Sequence, residues 1–227
     1  LTSNYDVFVP KSDYTGPTGL FKTVNDYIAT TNSFATLAHP SLTDYNNIAG
    51  TPYNIVADNA IVGSAIESGP AFSTNTTYTD PSSFNSENYL LYFNTLLSKG
   101  YHLGPVIDHD NHNTTFGKTT YSRTAIISRS LSKDSIIKSM RDMHFYATRD
   151  CDTKLDFTIN TRILGSEFTD RFGPNISVKL TDITTSTSAA VIRLMYGKPG
   201  SGTLAIKIDS AIGSTLSFND VNLADLN

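Results

Sequence analysis

The sequence has a single cysteine, Cys151, which excludes a disulfide framework and a cysteine-rich zinc module. It also has no excess of basic residues. The 17 Lys and Arg residues against 21 Asp and Glu residues give a net charge of −4, whereas nucleic-acid binding favours a basic surface. No apolar run approaches the roughly 20 residues that a membrane-spanning helix needs. The sequence therefore predicts neither a nucleic-acid partner nor a membrane span.

Charged residues are also scarce, at 17% of 227 residues, while Ser, Thr and Asn together number 73. This polar but weakly charged composition is commoner in secreted, periplasmic and cell-surface proteins, so we expect an extracytoplasmic location. Apolar residues are plentiful enough for a core, because the hydrophobic fraction is 39% with 12 Tyr and 12 Phe. Such a composition is atypical of intrinsic disorder.

Residues 1–151 alternate helical patterns with short apolar runs. Helical spacing of apolar residues predicts three helices, at residues 18–29, 87–99 and from 132 onward. Apolar runs predict four strands, at residues 34–38, 60–66, 104–107 and 124–128. Strands that alternate with helices at this spacing are typical of an α/β domain with a parallel sheet.

Residues 152–227 instead show alternation of apolar and polar residues with a period of two, which predicts an antiparallel, β-sandwich-like module. We expect the boundary between the two domains near residues 149–153. The pattern also predicts which side chains face inward in the second domain: Phe157, Ile159, Val178, Leu180, Leu204 and Ile206.

Polar residues that could carry chemistry follow three of the predicted strands. His39 follows the first strand, Glu67 the second, and residues 108–112 the third. Because the carboxyl ends of parallel strands meet at one edge of a sheet, we expect these three groups to lie near each other. The alternatives are a structural histidine at position 39, an ordinary loop carboxylate or helix cap at Glu67, and a solvated turn at 108–112.

Asp110 and His112 are the most specific pair. At the extended end of a strand, residues two apart point to the same side, so a carboxylate and an imidazole could ligate one ion. Mixed nitrogen and oxygen ligands favour Zn, Mn or Fe over Ca or Mg. Asp108 shares the side of Asp110 but lies deeper in the strand, where it could orient a ligand. His109 should point away.

Two segments resemble motifs of the polymerase-and-histidinol-phosphatase (PHP) superfamily. Residues 34–41, Phe-Ala-Thr-Leu-Ala-His-Pro-Ser, resemble its internal His-Pro motif. Residues 100–112, which contain Gly-Pro and end in Asp-Asn-His, resemble its Asp-x-His motif in the form of the CehA/McbA branch. The similarity covers about residues 20–170 and includes the segments 122–126 and 145–150.

The resemblance implies a function as well as a fold. In that family the matching residues bind divalent metals that activate a hydroxide, which implies metal-ligand roles for His39, Asp110 and His112. Glu67 matches a position near the site, and Asp108 or Glu67 would orient water or ligands. The implied substrate is a small molecule, either a phosphoester or an ester, amide or carbamate.

One family motif is missing from the sequence. The family opens with His-x-His, but the five histidines stand at positions 39, 102, 109, 112 and 144. A closed barrel of eight strands takes about 250 residues, far more than residues 1–151 supply. We therefore expect the C-terminal part of a PHP-type barrel with impaired metal-dependent catalysis.

An incomplete barrel has an open sheet edge, which we expect a second copy of the chain or an N-terminal segment to cover. The alternative to an enzyme is a non-catalytic cell-surface or binding module, in which a degenerate PHP-like domain accompanies a functional β-rich half.

Overall fold

The computed structural model of the protein describes residues 33–43, 47–78, 86–171 and 173–220. The chain divides into two compact units, and Asp152 begins the second of them. The first unit precedes Asp152 and also includes Gly197–Leu204, while the second comprises Asp152–Tyr196 and the chain from Ala205 onward. The helix predicted over residues 18–29 lies outside the described residues.

A three-stranded parallel sheet forms the centre of the first unit. Its strands are β1 (Ala35–Leu37), β2 (Ile61–Ser68) and β3 (Gly104–Asp108), in the order β1-β2-β3. Both pairings are parallel, as the alternation of strands and helices predicted. The carboxyl ends of β1, β2 and β3 therefore lie at the same edge of this sheet.

Among the described residues, three helices accompany the sheets of this unit: α1 (Ile55–Ala60), α2 (Ser86–Lys99) and α3 (Lys133–Arg141). Local sequence signals explain their ends. Asn54 caps α1, because its Oδ1 accepts hydrogen bonds from two backbone amides of the first turn. Gly100, with φ of 99°, ends α2 in the left-handed conformation that favours glycine. No helix in the described part of the chain is both long and apolar enough to cross a membrane.

Two groups of buried side chains hold the sheet in place. The larger group joins β1, β2, α1 and α2 and includes Ile61, Tyr92 and Leu96, with Leu96 fully buried. The smaller group joins β2 and β3 to α3 and the following strand through Val106, Met140 and other apolar residues. Burial of these side chains removes apolar surface from water, which is the main stabilising contribution to folding.

The fourth predicted strand is present but does not extend the parallel sheet. It forms β4 (Arg123–Ile126), which pairs antiparallel with β5 (Phe145–Thr148). Hydrogen bonds through the Thr124 hydroxyl join β3 to β4: it accepts from the Ile107 amide at 2.9 Å and donates to the Ile107 carbonyl at 3.5 Å. The unit is thus a mixed α/β structure, and the described strands form no closed barrel.

The second unit is made of antiparallel sheets. A four-stranded sheet has the order β11-β8-β6-β7, and a two-stranded sheet pairs β10 with β9. The bounds of these strands are β6 (Lys154–Ile159), β7 (Arg162–Ile163), β8 (Asn175–Thr181), β9 (Val191–Tyr196), β10 (Ile206–Ile212) and β11 (Thr215–Asn219). Its core contains Ile176, Val178, Leu194 and Leu216, with Phe157 and Ile159 packed against it.

The prediction of inward-facing side chains is wrong at two positions. Leu204 and Ile206 are 47% and 53% exposed, and Ile208 packs against the core instead. Leu204 precedes β10 and so lies outside the strand. In β10, the register with β9 shifts between Lys207 and Asp209, and this β-bulge breaks the strict alternation on which the prediction relied.

Candidate metal centre

Three polar side chains meet at the carboxyl edge of the parallel sheet. His39 follows β1, Asp108 is the last residue of β3, and Asp110 lies two residues beyond it. One potential ligand atom from each residue lies within 4.8 Å of the other two. Since β1 and β3 both flank β2, parallel pairing brings together residues that are about 70 positions apart in the sequence.

The backbone at this cluster is unusual. His39 has a φ of 33° and Asp110 a φ of 46°, both in the left-handed region that side chains with a Cβ disfavour. The loops after β2 and β3 are tied together, because the Gly69 amide donates to the Asp108 carbonyl at 2.9 Å and the His112 amide to the Ala71 carbonyl at 2.8 Å. Such strained conformations persist where the surroundings hold them, and they occur often at functional sites.

Asp108 is the best-supported carboxylate of the cluster. Its Oδ1 accepts a hydrogen bond from the Asp110 amide at 2.8 Å, and its Oδ2 accepts one from the Ser68 hydroxyl at 3.1 Å. These bonds fix the orientation of the carboxylate and leave lone pairs on both oxygens. The sequence suggested a supporting role for Asp108, whereas the structure places it among the three potential ligands. Nothing in the sequence pattern pointed to Ser68.

His39 and Asp110 complete the cluster at its exposed side. The His39 Nε2 lies 3.7 Å from Asp110 Oδ1, and the two side chains are 53% and 31% exposed. One imidazole nitrogen and two carboxylates form the kind of mixed donor set that suits a divalent metal. Three protein ligands also leave coordination positions for water and a substrate, as in catalytic zinc sites.

His112 lies beside the cluster but is not part of it. Its Nδ1 donates to the backbone carbonyl of Asp110 at 2.6 Å and lies 3.9 Å from Asp110 Oδ1. The ring packs against that of Phe72, with 4.6 Å between the centroids and 31° between the ring planes. Because Asp110 has a left-handed backbone, the extended geometry that would place Asp110 and His112 on one side does not apply here. His109 is turned elsewhere, since its Nε2 donates to the Ser122 carbonyl at 2.8 Å.

Glu67 is not one of the three potential metal ligands. It is inside β2 rather than beyond the strand's end, because β2 continues to Ser68. The residue is 3% exposed, and its Oε1 accepts a hydrogen bond from the Nε of Arg149. The predicted strand ended two residues too early, because the apolar run stops at Ile66 while β2 continues to Ser68. The sequence pattern did not indicate the pairing of Glu67 with Arg149.

A cavity of about 300 Å³ adjoins the cluster. Strands β1, β3 and β4 and helix α3 line it, and Asp108 belongs to both the cavity and the cluster. Among the described residues that line the cavity, Asp108 is the only charged one. Most of the others are apolar: Phe34, Leu37, Ala38, Val106, Ile107, Ile126 and Met140. A potential metal site therefore adjoins space for a small and mainly apolar group.

Comparisons of the chain with protein-family models, with curated proteins and with solved structures find no match.

Proposed function

We propose that the protein is a metal-dependent hydrolase of the PHP type, with a partial PHP-like barrel followed by a β-sandwich-like module. The observation that carries the proposal is the convergence of His39, Asp108 and Asp110 at the carboxyl edge of a parallel sheet, beside a cavity. Catalytic residues in α/β folds are concentrated at that edge. The order and spacing of the His-Pro and Asp-x-His motifs support the same assignment.

In this proposal His39, Asp108 and Asp110 hold Zn, Mn or Fe. The donor set fits such an ion, since it combines one imidazole with two carboxylates, one of them oriented by two hydrogen bonds. His112 is the remaining candidate ligand, because its ring lies within 3.9 Å of the Asp110 carboxylate. A bound ion of this class would polarise the scissile group and lower the pKa of water.

Residues of the protein would position both the metal-binding carboxylate and the substrate. Ser68 and the Asp110 amide hold the Asp108 carboxylate, so that it cannot rotate away from the cluster. The cavity beside Asp108 would receive the apolar part of a phosphoester, ester, amide or carbamate. Because the opening His-x-His motif of the family is missing from these 227 residues, we expect turnover below about 1 per second.

Hydrolysis assays of the purified protein test this function. Metal-depleted protein is reloaded with Zn or Mn and assayed with p-nitrophenyl phosphate and p-nitrophenyl butyrate. We expect slow hydrolysis of at least one substrate that depends on the added metal and is lost in Asp110→Asn. The matched control is Asp156→Asn, which neutralises an exposed carboxylate in β6 and should keep the wild-type rate.

Two outcomes would count against the proposal. Metal binding without hydrolysis of either substrate would favour the non-catalytic binding module. A turnover of about 1 per second or more would contradict the expected impairment.

A further inference from the structure

A second cavity of about 460 Å³ lies in the first unit. Helix α2 and strands β2, β3 and β5 line it, through Ile66, Leu90, Ile107 and Ala147 among others. Its size is within the range of about 300–1,000 Å³ that is typical of small-molecule sites. Such sites combine an apolar lining with a few well-placed polar groups. Here the charged groups are the side chains of Glu67 and Arg149.

The ion pair between Glu67 and Arg149 is strongly asymmetric in its exposure. The Glu67 side chain is 5% exposed, whereas the Arg149 side chain is 70% exposed. Of the three guanidinium nitrogens of Arg149, Nε is the one that donates to Glu67. In the part of the chain that the structure describes, the two Nη groups of Arg149 have no hydrogen-bond acceptor. The buried carboxylate thus anchors the guanidinium and leaves its terminal donors available.

The geometry points to a binding site for a small organic carboxylate in this cavity, with its anionic group on the Nη groups of Arg149. A guanidinium presents two parallel N–H donors that match the two oxygens of a carboxylate. Glu67 already offsets the charge of Arg149, so a monoanion is favoured over a dianion such as a phosphate monoester. The apolar lining would receive the hydrocarbon part of the ligand.

This site differs in composition from the metal centre. The three potential metal ligands are absent from its lining, and the cavity beside the metal centre is lined by neither Glu67 nor Arg149. Glu67 acts here as a positioning residue, since it holds the Arg149 side chain through Nε. The inference therefore does not require the protein to bind a metal or to hydrolyse an ester.

Isothermal titration of the full chain with benzoate and benzamide tests the site. The two molecules have nearly the same shape, but only benzoate is charged. We expect saturable benzoate binding with a Kd of about 1 mM or below, and at least about tenfold weaker binding of benzamide. Arg149→Lys keeps the positive charge but removes the planar pair of donors, so it should weaken benzoate binding at least about tenfold.

Two further variants separate binding from folding. Arg149→Gln alone would remove the positive charge that pairs with the buried Glu67 carboxylate, so we combine it with Glu67→Gln, which removes both charges. The double variant should keep a melting temperature near the wild-type value and lose benzoate binding. Arg129→Gln, which changes an exposed arginine before α3, should bind benzoate as the wild type does. The inference is overturned if the wild type shows no saturable benzoate binding, if benzamide binds equally well, or if the double variant retains the affinity.

Discussion

At the scale of single residues, the buried carboxylate of Asp58 shows how this chain accommodates charge in its interior. Asp58 is 8% exposed and accepts hydrogen bonds from the Tyr53 hydroxyl at 2.7 Å and from the His102 amide at 2.7 Å. Its Oδ2 also lies 2.8 Å from the Nδ1 of His102. A buried charge with several partners avoids the large cost of an unpaired one. The position of His102 beside Asp58 agrees with a structural role for this histidine.

The Tyr53 phenol gives this cluster a pH dependence. Burial, the hydrogen bond to Asp58 and repulsion from its carboxylate together raise the pKa of Tyr53 to about 12, with burial the largest cause. The folded-state pKa is above the ordinary value of 10, so the contribution to stability is complete below pH 10 and is lost between pH 10 and about 12. We expect the free energy of unfolding, measured by urea denaturation, to fall across that interval.

Substitution isolates the contribution of this tyrosine. Tyr53→Phe should be less stable than the wild type at pH 9 and should lose less stability between pH 10 and 12. Tyr121→Phe, at an exposed tyrosine outside the cluster, should keep the pH dependence of the wild type. If Tyr53→Phe and the wild type lose equal stability over this range, Tyr53 is not the group that titrates.

The sequence predicted the site residues best where they directly follow the end of a strand. His39 and Asp110 were identified because each follows an apolar run, and parallel pairing of β1 and β3 with β2 brings them together. The position of His112 could not be read in the same way, because alternation holds only in extended backbone and Asp110 is left-handed. The ion pair of Glu67 with Arg149 joins residues 82 positions apart, and periodicity contains no information on such a contact.

At the scale of elements, close packing of β3 against β5 depends on one glycine. A Cβ built at Gly104 would lie 2.7 Å from two ring atoms of Phe145, which is 1% exposed and has little room to move. We expect Gly104→Ala to lower the free energy of unfolding by about 1–3 kcal/mol, as is typical of overpacked cores. Urea denaturation monitored by circular dichroism measures this change.

A double-variant cycle shows whether the Phe145 ring is the cause. Phe145→Leu removes ring atoms near the added methyl group, so the loss in Gly104→Ala/Phe145→Leu should be smaller than the sum of the two single losses. Additive losses would mean that Gly104 and Phe145 do not compete for the same space.

Local signals determined how well each element was predicted. Gly100 ends α2 and Ser132 caps the start of α3, and the predicted range 87–99 and the predicted start at residue 132 each agree with the structure within one residue. The bulge in β10 was not predictable, because it depends on pairing with β9 rather than on the sequence of β10 itself. The same limitation explains the wrong placement of Ile206, whereas Leu204 was wrongly placed because β10 begins only at Ile206.

At the scale of the whole molecule, patterns along the chain distinguish helices from strands but not which strands pair. The apolar run that forms β4 would look the same in a parallel sheet, yet β4 pairs antiparallel with β5. The sequence pattern changes from helical spacing to period-two alternation near residue 151, and the described elements of the second compact unit, which begins at Asp152 and does not include Gly197–Leu204, are all strands.

The metal centre is the central claim, and calorimetric titration of the metal-depleted full chain with Mn or Zn tests it most directly. We expect saturable binding by the wild type and by Asp156→Asn, and binding at least about tenfold weaker in His39→Ala and Asp110→Asn, with circular dichroism spectra unchanged. Equal affinities in all four proteins, or no saturable binding by the wild type, would contradict a metal centre formed by His39, Asp108 and Asp110.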